Sequence, residues 1–181
     1  LRLGFTGDVM LGRLVNERQQ HRPVEAVWGT MRESLRSLDG LFVNLECCLS
    51  TRGSQWTTTY RPFHFRADPA WAVPALRDVG VSWATLANNH VLDYDEIALE
   101  DTFDALDDAS LPYAGAGPTA ADAWRPSHVT VGGLDVALVA FTDNTPEYAA
   151  AADSPGTAYV DIDPGDESCL DTVRSALDAA R

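Results

Sequence analysis

The sequence predicts a layered α/β domain, and three observations carry that prediction. Short apolar runs alternate with amphipathic helical stretches, the order that builds a sheet covered by helices. One pair of runs flanks Gly132-Gly133, a hairpin signal that adds antiparallel strands to the sheet or makes a second one. The 181 residues, 45% hydrophobic and 22% charged, suit one globular domain with a sizeable core.

Leu3-Gly4-Phe5-Thr6 reads as the first strand. Its end runs through Gly7-Asp8-Val9-Met10-Leu11-Gly12-Arg13, where flexible backbone on both sides of Asp8 lets the strand turn and present the carboxylate. Pro23 precedes a helical pattern from Val24 to Leu38, with Val24, Val27, Trp28, Met31, Leu35 and Leu38 on one face. Leu41-Phe42-Val43 is a second strand that ends in Asn44-Leu45-Glu46, and alternation puts Asn44 and Glu46 on the same side. Ser50 to Thr59 is a polar loop, and Tyr60 to Arg66 alternates aromatic and basic residues as an edge strand does.

Asp68-Pro69 starts a helix expected to reach Val79 and close at Gly80. The apolar run Val81 to Ala87 is a third strand, followed by the polar cluster Asn88-Asn89-His90 and a helix from Asp95 to Asp108. Leu111 to Ala114 returns to the sheet, and Gly115-Ala116-Gly117-Pro118 turns into an Ala-rich helix from Thr119 to Ala123. His128 to Val131 and Leu134 to Phe141 form the hairpin, which ends at Thr142-Asp143-Asn144-Thr145. Pro146 to Gly156 is a loop, Tyr159 to Ile162 a short strand, and Pro164-Gly165 opens a final helix from Asp166 to Ala180.

The charge balance is acidic: 27 Asp plus Glu against 13 cations, all of them Arg, give a net charge of −14. That field repels nucleic acid and anionic membranes, so a polyanion needs a local cation or metal to dock. No apolar stretch is long enough for a membrane span. The chain opens at Leu1 without Met, and its location stays open between cytoplasmic and membrane-associated. Cys47, Cys48 and Cys169 lack C-x-x-C spacing and read as free thiols.

Four apolar runs end in polar side chains: Asp8, then Asn44 and Glu46, then Asn88, Asn89 and His90, then Asp143 and Asn144. Ligands in open α/β sheets collect outside the carboxyl ends of strands. If these strands are neighbours, carboxylate, amide and imidazole donors gather on one rim and suit a divalent cation such as Mn, Mg, Zn or Fe. The structural alternatives are plain: Asp8 as a turn residue, Glu46 as a cap or surface group, Asp143 and Asn144 as loop caps, and His64 as a half-buried strand residue.

Gly7 to Arg13, Asn44-Leu45-Glu46 and Ala87-Asn88-Asn89-His90-Val91-Leu92-Asp93 together resemble the motifs of the CapA-type capsule-synthesis family, associated with poly-gamma-glutamate. Arg66 to Pro69 and Gly115 to Gly117 fall in the same order as similar segments of that family. The family is similar in turn to calcineurin-like metallophosphoesterases, which implies a layered α/β/β/α sandwich holding two divalent metals. By this resemblance Asp8 is a ligand of the first metal, Glu46 the bridging carboxylate and Asn89 a ligand of the second. His90 protonates the leaving oxygen or stabilises the transition state, and Asp93 orients its imidazole. Asn44, Arg61 and Asn88 are implied at the substrate side of the rim, facing an anionic small molecule or polymer. Capsule-synthesis proteins are the implied partners.

Two departures accompany the resemblance. The phosphoesterase pattern places His two residues after the first Asp, where this chain has Met10, a poor ligand for hard metals. The histidine motifs that complete the metal shell are expected beyond Arg181, so the chain reads as the N-terminal part of a longer domain, with an incomplete site, weak metal binding and little activity. Two functional classes follow: a metal-dependent phosphoester hydrolase, or a non-catalytic accessory of polyanionic polymer synthesis or export.

Overall fold

A computed structural model describes residues 1–163 and 165–181. Its centre is a parallel four-stranded sheet in the order β1 (Leu3–Val9), β2 (Gly40–Leu45), β5 (Val81–Thr85), β6 (Tyr113–Ala114). Alternation along these strands separates two apolar faces. Leu41, Val43 and Leu45 of β2, with Ala84 of β5, pack into one cluster with Trp71, Ala72, Ala75 and Leu76 of α3 (Pro69–Asp78) and Leu99, Phe103 and Leu106 of α4 (Asp95–Asp108). Phe42, Trp83 and Ala114 point the other way, onto Val129 and Val131 of β8 (Ser127–Val131). The strand β8 pairs antiparallel with β9 (Leu134–Leu138) across the Gly132-Gly133 turn. Helices, parallel sheet and hairpin thus form the layers that the sequence predicted. Leu41, Leu45, Leu76, Leu99 and Leu106 are almost wholly buried, each contributing about 1.5–3 kcal/mol of transfer free energy.

Several elements fall where expected. Asp68 caps α3 by accepting from the Ala70 amide at 2.8 Å. The helix α4 has the predicted limits, and α5 (Ala120–Ala123) is capped by the Thr119 hydroxyl. Short pairs complete the chain: β3 (Cys48–Leu49) with β4 (Arg66–Ala67), and β7 (Ala116–Gly117) with β10 (Gly156–Thr157). Cys47 and Cys48 are buried free thiols, and burial pushes the Cys47 thiol up to about 12.

The departures have local causes. The stretch Val24 to Leu38 is not one helix: a 3-10 helix Val24–Met31 passes into α2 (Arg32–Arg36), and Gly29, at φ 51°, takes a left-handed conformation that breaks the ladder. An unpredicted helix α1 (Arg13–Gln19) follows the first strand. Tyr60 to Phe65 is not an edge strand; Pro62 has no amide to donate, and only Arg66–Ala67 pairs. Tyr159 makes a single bridge to Thr142 rather than a strand. The last helix, α6, spans Ser168–Ala179, and Pro164, expected to open it, lies outside the described residues. No helix among the described residues is long and apolar enough to cross a membrane.

Candidate functional site

Because β1, β2 and β5 are sheet neighbours, three of the four polar strand ends share one rim. Asp8 stands opposite Asn44 in the β1–β2 register, and the Asn44 amide donates to Asp8 Oδ1 at 2.8 Å. Asn88 continues the line: its Nδ2 donates to Asn44 Oδ1 at 3.0 Å and to the Leu45 carbonyl at 2.9 Å. Its Oδ1 then accepts from the His90 amide at 3.0 Å, which fixes the turn that presents the imidazole. Asn88 is buried, and these three hydrogen bonds brace the rim.

His90 is held by a ring stack and by a hydrogen bond at one nitrogen. Its ring stacks on Phe65, centroids 4.0 Å apart. Nδ1 lies 2.6 Å from Asp93 Oδ2, and Nε2 points to Glu46, 3.8 Å from Oε1. A carboxylate that close to Nδ1 fixes the proton there. Asp93 has no exposed surface, and its charge is matched by three donors: His90 Nδ1, the Phe65 amide at 2.7 Å and the Tyr148 hydroxyl at 3.1 Å. A buried carboxylate needs such a set to offset its desolvation.

Glu46 follows β2 and sits beside Asp8. Burial, then the Asp8 charge, hold its carboxyl above the ordinary range, while the His90 charge works against them. Two neighbouring carboxylates at a part-buried rim are the donor chemistry that a hard divalent cation relieves. Asn89 is half-buried and adds an amide at the same turn. Met10 instead spends its sulfur locally, accepting from the Gly12 amide at 3.1 Å. Among the described residues no group of three or more His, Cys, Asp or Glu side chains is placed to hold a metal ion.

Arg61 reaches the rim from the Ser/Thr-rich loop. It donates to the Asn89 carbonyl at 3.2 Å, pairs with Glu147 at 3.1 Å and covers the Tyr148 ring at 4.4 Å. The Thr59 hydroxyl and Arg61 together pull the Glu147 carboxyl below its ordinary range. Asp143 and Asn144 do not join the rim through hydrogen bonds; Asn144 bonds only to Thr142 and Thr145 among the described residues. His64 Nε2 meets the Trp56 carbonyl at 3.0 Å, away from the rim.

Sequence reasoning missed Tyr148 and the role of Phe65. Tyr148 sits in the segment read as a loop, and only its being a lone aromatic after a polar strand end marked it. Phe65 was visible as an aromatic but not as an amide donor to Asp93.

The family described as bacterial capsule synthesis protein PGA_cap matches residues 2–180. The chain belongs to that family. It is 26% identical over 163 residues to the PGA biosynthesis protein CapA of Bacillus subtilis, covering 89% of this chain and 42% of that protein. It is 29% identical over 165 residues to the capsule biosynthesis protein CapA of Bacillus anthracis, covering 90% and 40%. The Probable polyglutamine synthesis accessory protein of Mycobacterium tuberculosis is 34% identical over 182 residues, covering 95% and 46%. The chain spans less than half the length of these PGA_cap relatives.

Proposed function

We propose that this PGA_cap chain carries residues of a metal-dependent phosphoester-hydrolysing site that serves capsule-polymer synthesis. The observation that supports this reading best is the pairing of two carboxylates, Asp8 and Glu46, with an imidazole aimed at Glu46 and braced by a buried carboxylate. Asp8 and Glu46 would hold a divalent cation (Mn, Mg, Zn or Fe), with Asn89 as an added amide oxygen, and a second such ion would need ligands beyond these. A bound cation supplies polarisation of a phosphoryl oxygen and a more acidic water.

The chain's own residues do the rest. His90 Nε2 faces the rim and can pass a proton to a leaving oxygen there. Asp93 keeps Nδ1 protonated and fixes the ring, while Phe65 stops it from tilting. Arg61 carries positive charge to the Asn89 end, where an anionic substrate would approach.

The test is hydrolysis of an aryl phosphate with added Mn by a chain of full family length. Turnover that His90→Ala abolishes supports the reading; no turnover with any divalent ion removes it. The accessory reading draws on one specific feature, Met10, whose sulfur is committed to Gly12 at the position where a further metal ligand would strengthen the site.

A further inference from the structure

The helices α3 and α4 pack against the same core cluster, and a groove of about 600 Å³ runs between them at the surface. Its floor is apolar and low: Pro69, Ala70, Val73 and Pro74 from α3, Ala105 and Ala109 from α4. Both helices spend their large side chains on the core beneath, Trp71 and Leu76 from one, Leu99, Phe103 and Leu106 from the other. The small residues left at the groove allow a third backbone to come close. Pro74 sits inside α3 and has no amide, so the Ala70 carbonyl one turn back receives no helical bond from it.

The α4 wall is acidic. That helix carries seven carboxylates and no cation in its 14 residues. Of the seven, only Asp101 forms an ion pair among the described residues, with Arg52. Asp104 and Asp108 stand one turn apart, next to Ala105, and repel each other. They also lie in the last turns of α4, where the helix dipole favours cations and the helix supplies none. Arg77 is the only cation lining the groove, and it donates to the Ala109 carbonyl, which commits it to the end of α4. A cation brought along the wall from outside relieves both the repulsion and the dipole.

We infer that this groove docks a basic amphipathic helix of a partner protein, with its apolar face on Val73 and Ala105 and its cations along Asp104 and Asp108. Both walls are helices and offer no sheet edge, so a helix fits where a strand does not. The ten residues of α3 span about 15 Å, which sets the docked length at about three turns. An acidic segment, a nucleic acid or an anionic membrane meets the same carboxylates and is repelled. A second copy of this chain brings its own net charge of −14 and is repelled likewise. No residue of the His90 rim lines this groove, so docking here stands apart from the phosphoester chemistry.

The probe is a fluorescein-labelled peptide of about 18 residues, with Leu at helical spacing and Lys between, long enough to form a helix. Binding is read by anisotropy on the 181-residue chain at physiological salt. A shuffled peptide of the same composition, which has no apolar face, is the comparison. The amphipathic peptide is expected to bind at least about tenfold more tightly than the shuffled one. Ala70→Arg, at an exposed position of α3, puts a cation and bulk on the floor and weakens binding about tenfold. Asp104→Ser combined with Asp108→Ser weakens it about fivefold. Asp171→Ser combined with Asp178→Ser, the same charge change on the exposed surface of α6, leaves it intact. Four results overturn the proposal: no binding, equal binding of the shuffled peptide, binding unchanged by Ala70→Arg, or equal loss with the α6 pair.

Discussion

His90 Nδ1 stands 2.6 Å from Oδ2 of Asp93, a carboxylate without exposed surface. Asp93 also accepts from the Phe65 amide and the Tyr148 hydroxyl, so it ties the imidazole to two other segments of the chain. Asp93→Asn puts an amide NH₂ against one of those donors. The expected cost is about 2 kcal/mol in urea unfolding, together with loss of any turnover that depends on His90. Unchanged stability would show that the carboxylate is not the hub of this network.

Tyr148→Phe tests the same hub from its far side. The ring keeps its edge contact with Trp56 and its place under Arg61, while Asp93 Oδ1 loses its donor. Denaturant melts are expected to show a loss of about 1–2 kcal/mol. A neutral result would mean that water replaces the hydroxyl.

The polar strand ends Asp8, Asn44, Glu46 and His90 were legible because apolar runs stop at them, and their sharing a rim followed only once β1, β2 and β5 proved to be sheet neighbours. The helix α4 and the Asp68 cap were legible for the same reason, since periodicity and capping are local. Gly29 was not: its left-handed φ is a backbone choice that the apolar stripe from Val24 to Leu38 conceals. Tyr60 to Phe65 alternates like a strand, yet its rings stack toward His90 and its amides serve other partners, the Phe65 amide going to Asp93. Tyr148 reaches Asp93 from 55 residues away, and no local pattern encodes such a contact.

Acid stability should depend on Asp101. The Arg52 guanidinium, then the Ser50 hydroxyl, pull its carboxyl below the ordinary value of 3.8 against the effect of burial. A depressed folded value means that the stabilisation is full above 3.8 and is lost as pH falls through the lower folded value. Arg52 is more than half exposed, so the contribution is at most about 1 kcal/mol. Urea melts on descending pH should show Arg52→Ala losing less stability across that window than the parent chain. Parallel curves would remove the pair from the acid response.

Met10 decides how far the carboxylate rim can go as a cation site. Its sulfur accepts from the Gly12 amide, and Asp8 and Glu46 are left to repel each other beside it. An imidazole at this position would add a nitrogen donor two residues from Asp8, near enough in sequence to share an ion with it. Met10→His is therefore expected to tighten Mn or Zn binding by about tenfold or more in isothermal titration, since a neutral imidazole suits borderline divalent metals where a thioether does not. The gain should vanish when Asp8→Asn is added, because the new nitrogen alone cannot hold the ion. If Met10→His changes nothing, Asp8 is not poised to coordinate. If the gain survives Asp8→Asn, the ion sits elsewhere. Either result moves the weight from the hydrolase reading toward the accessory one.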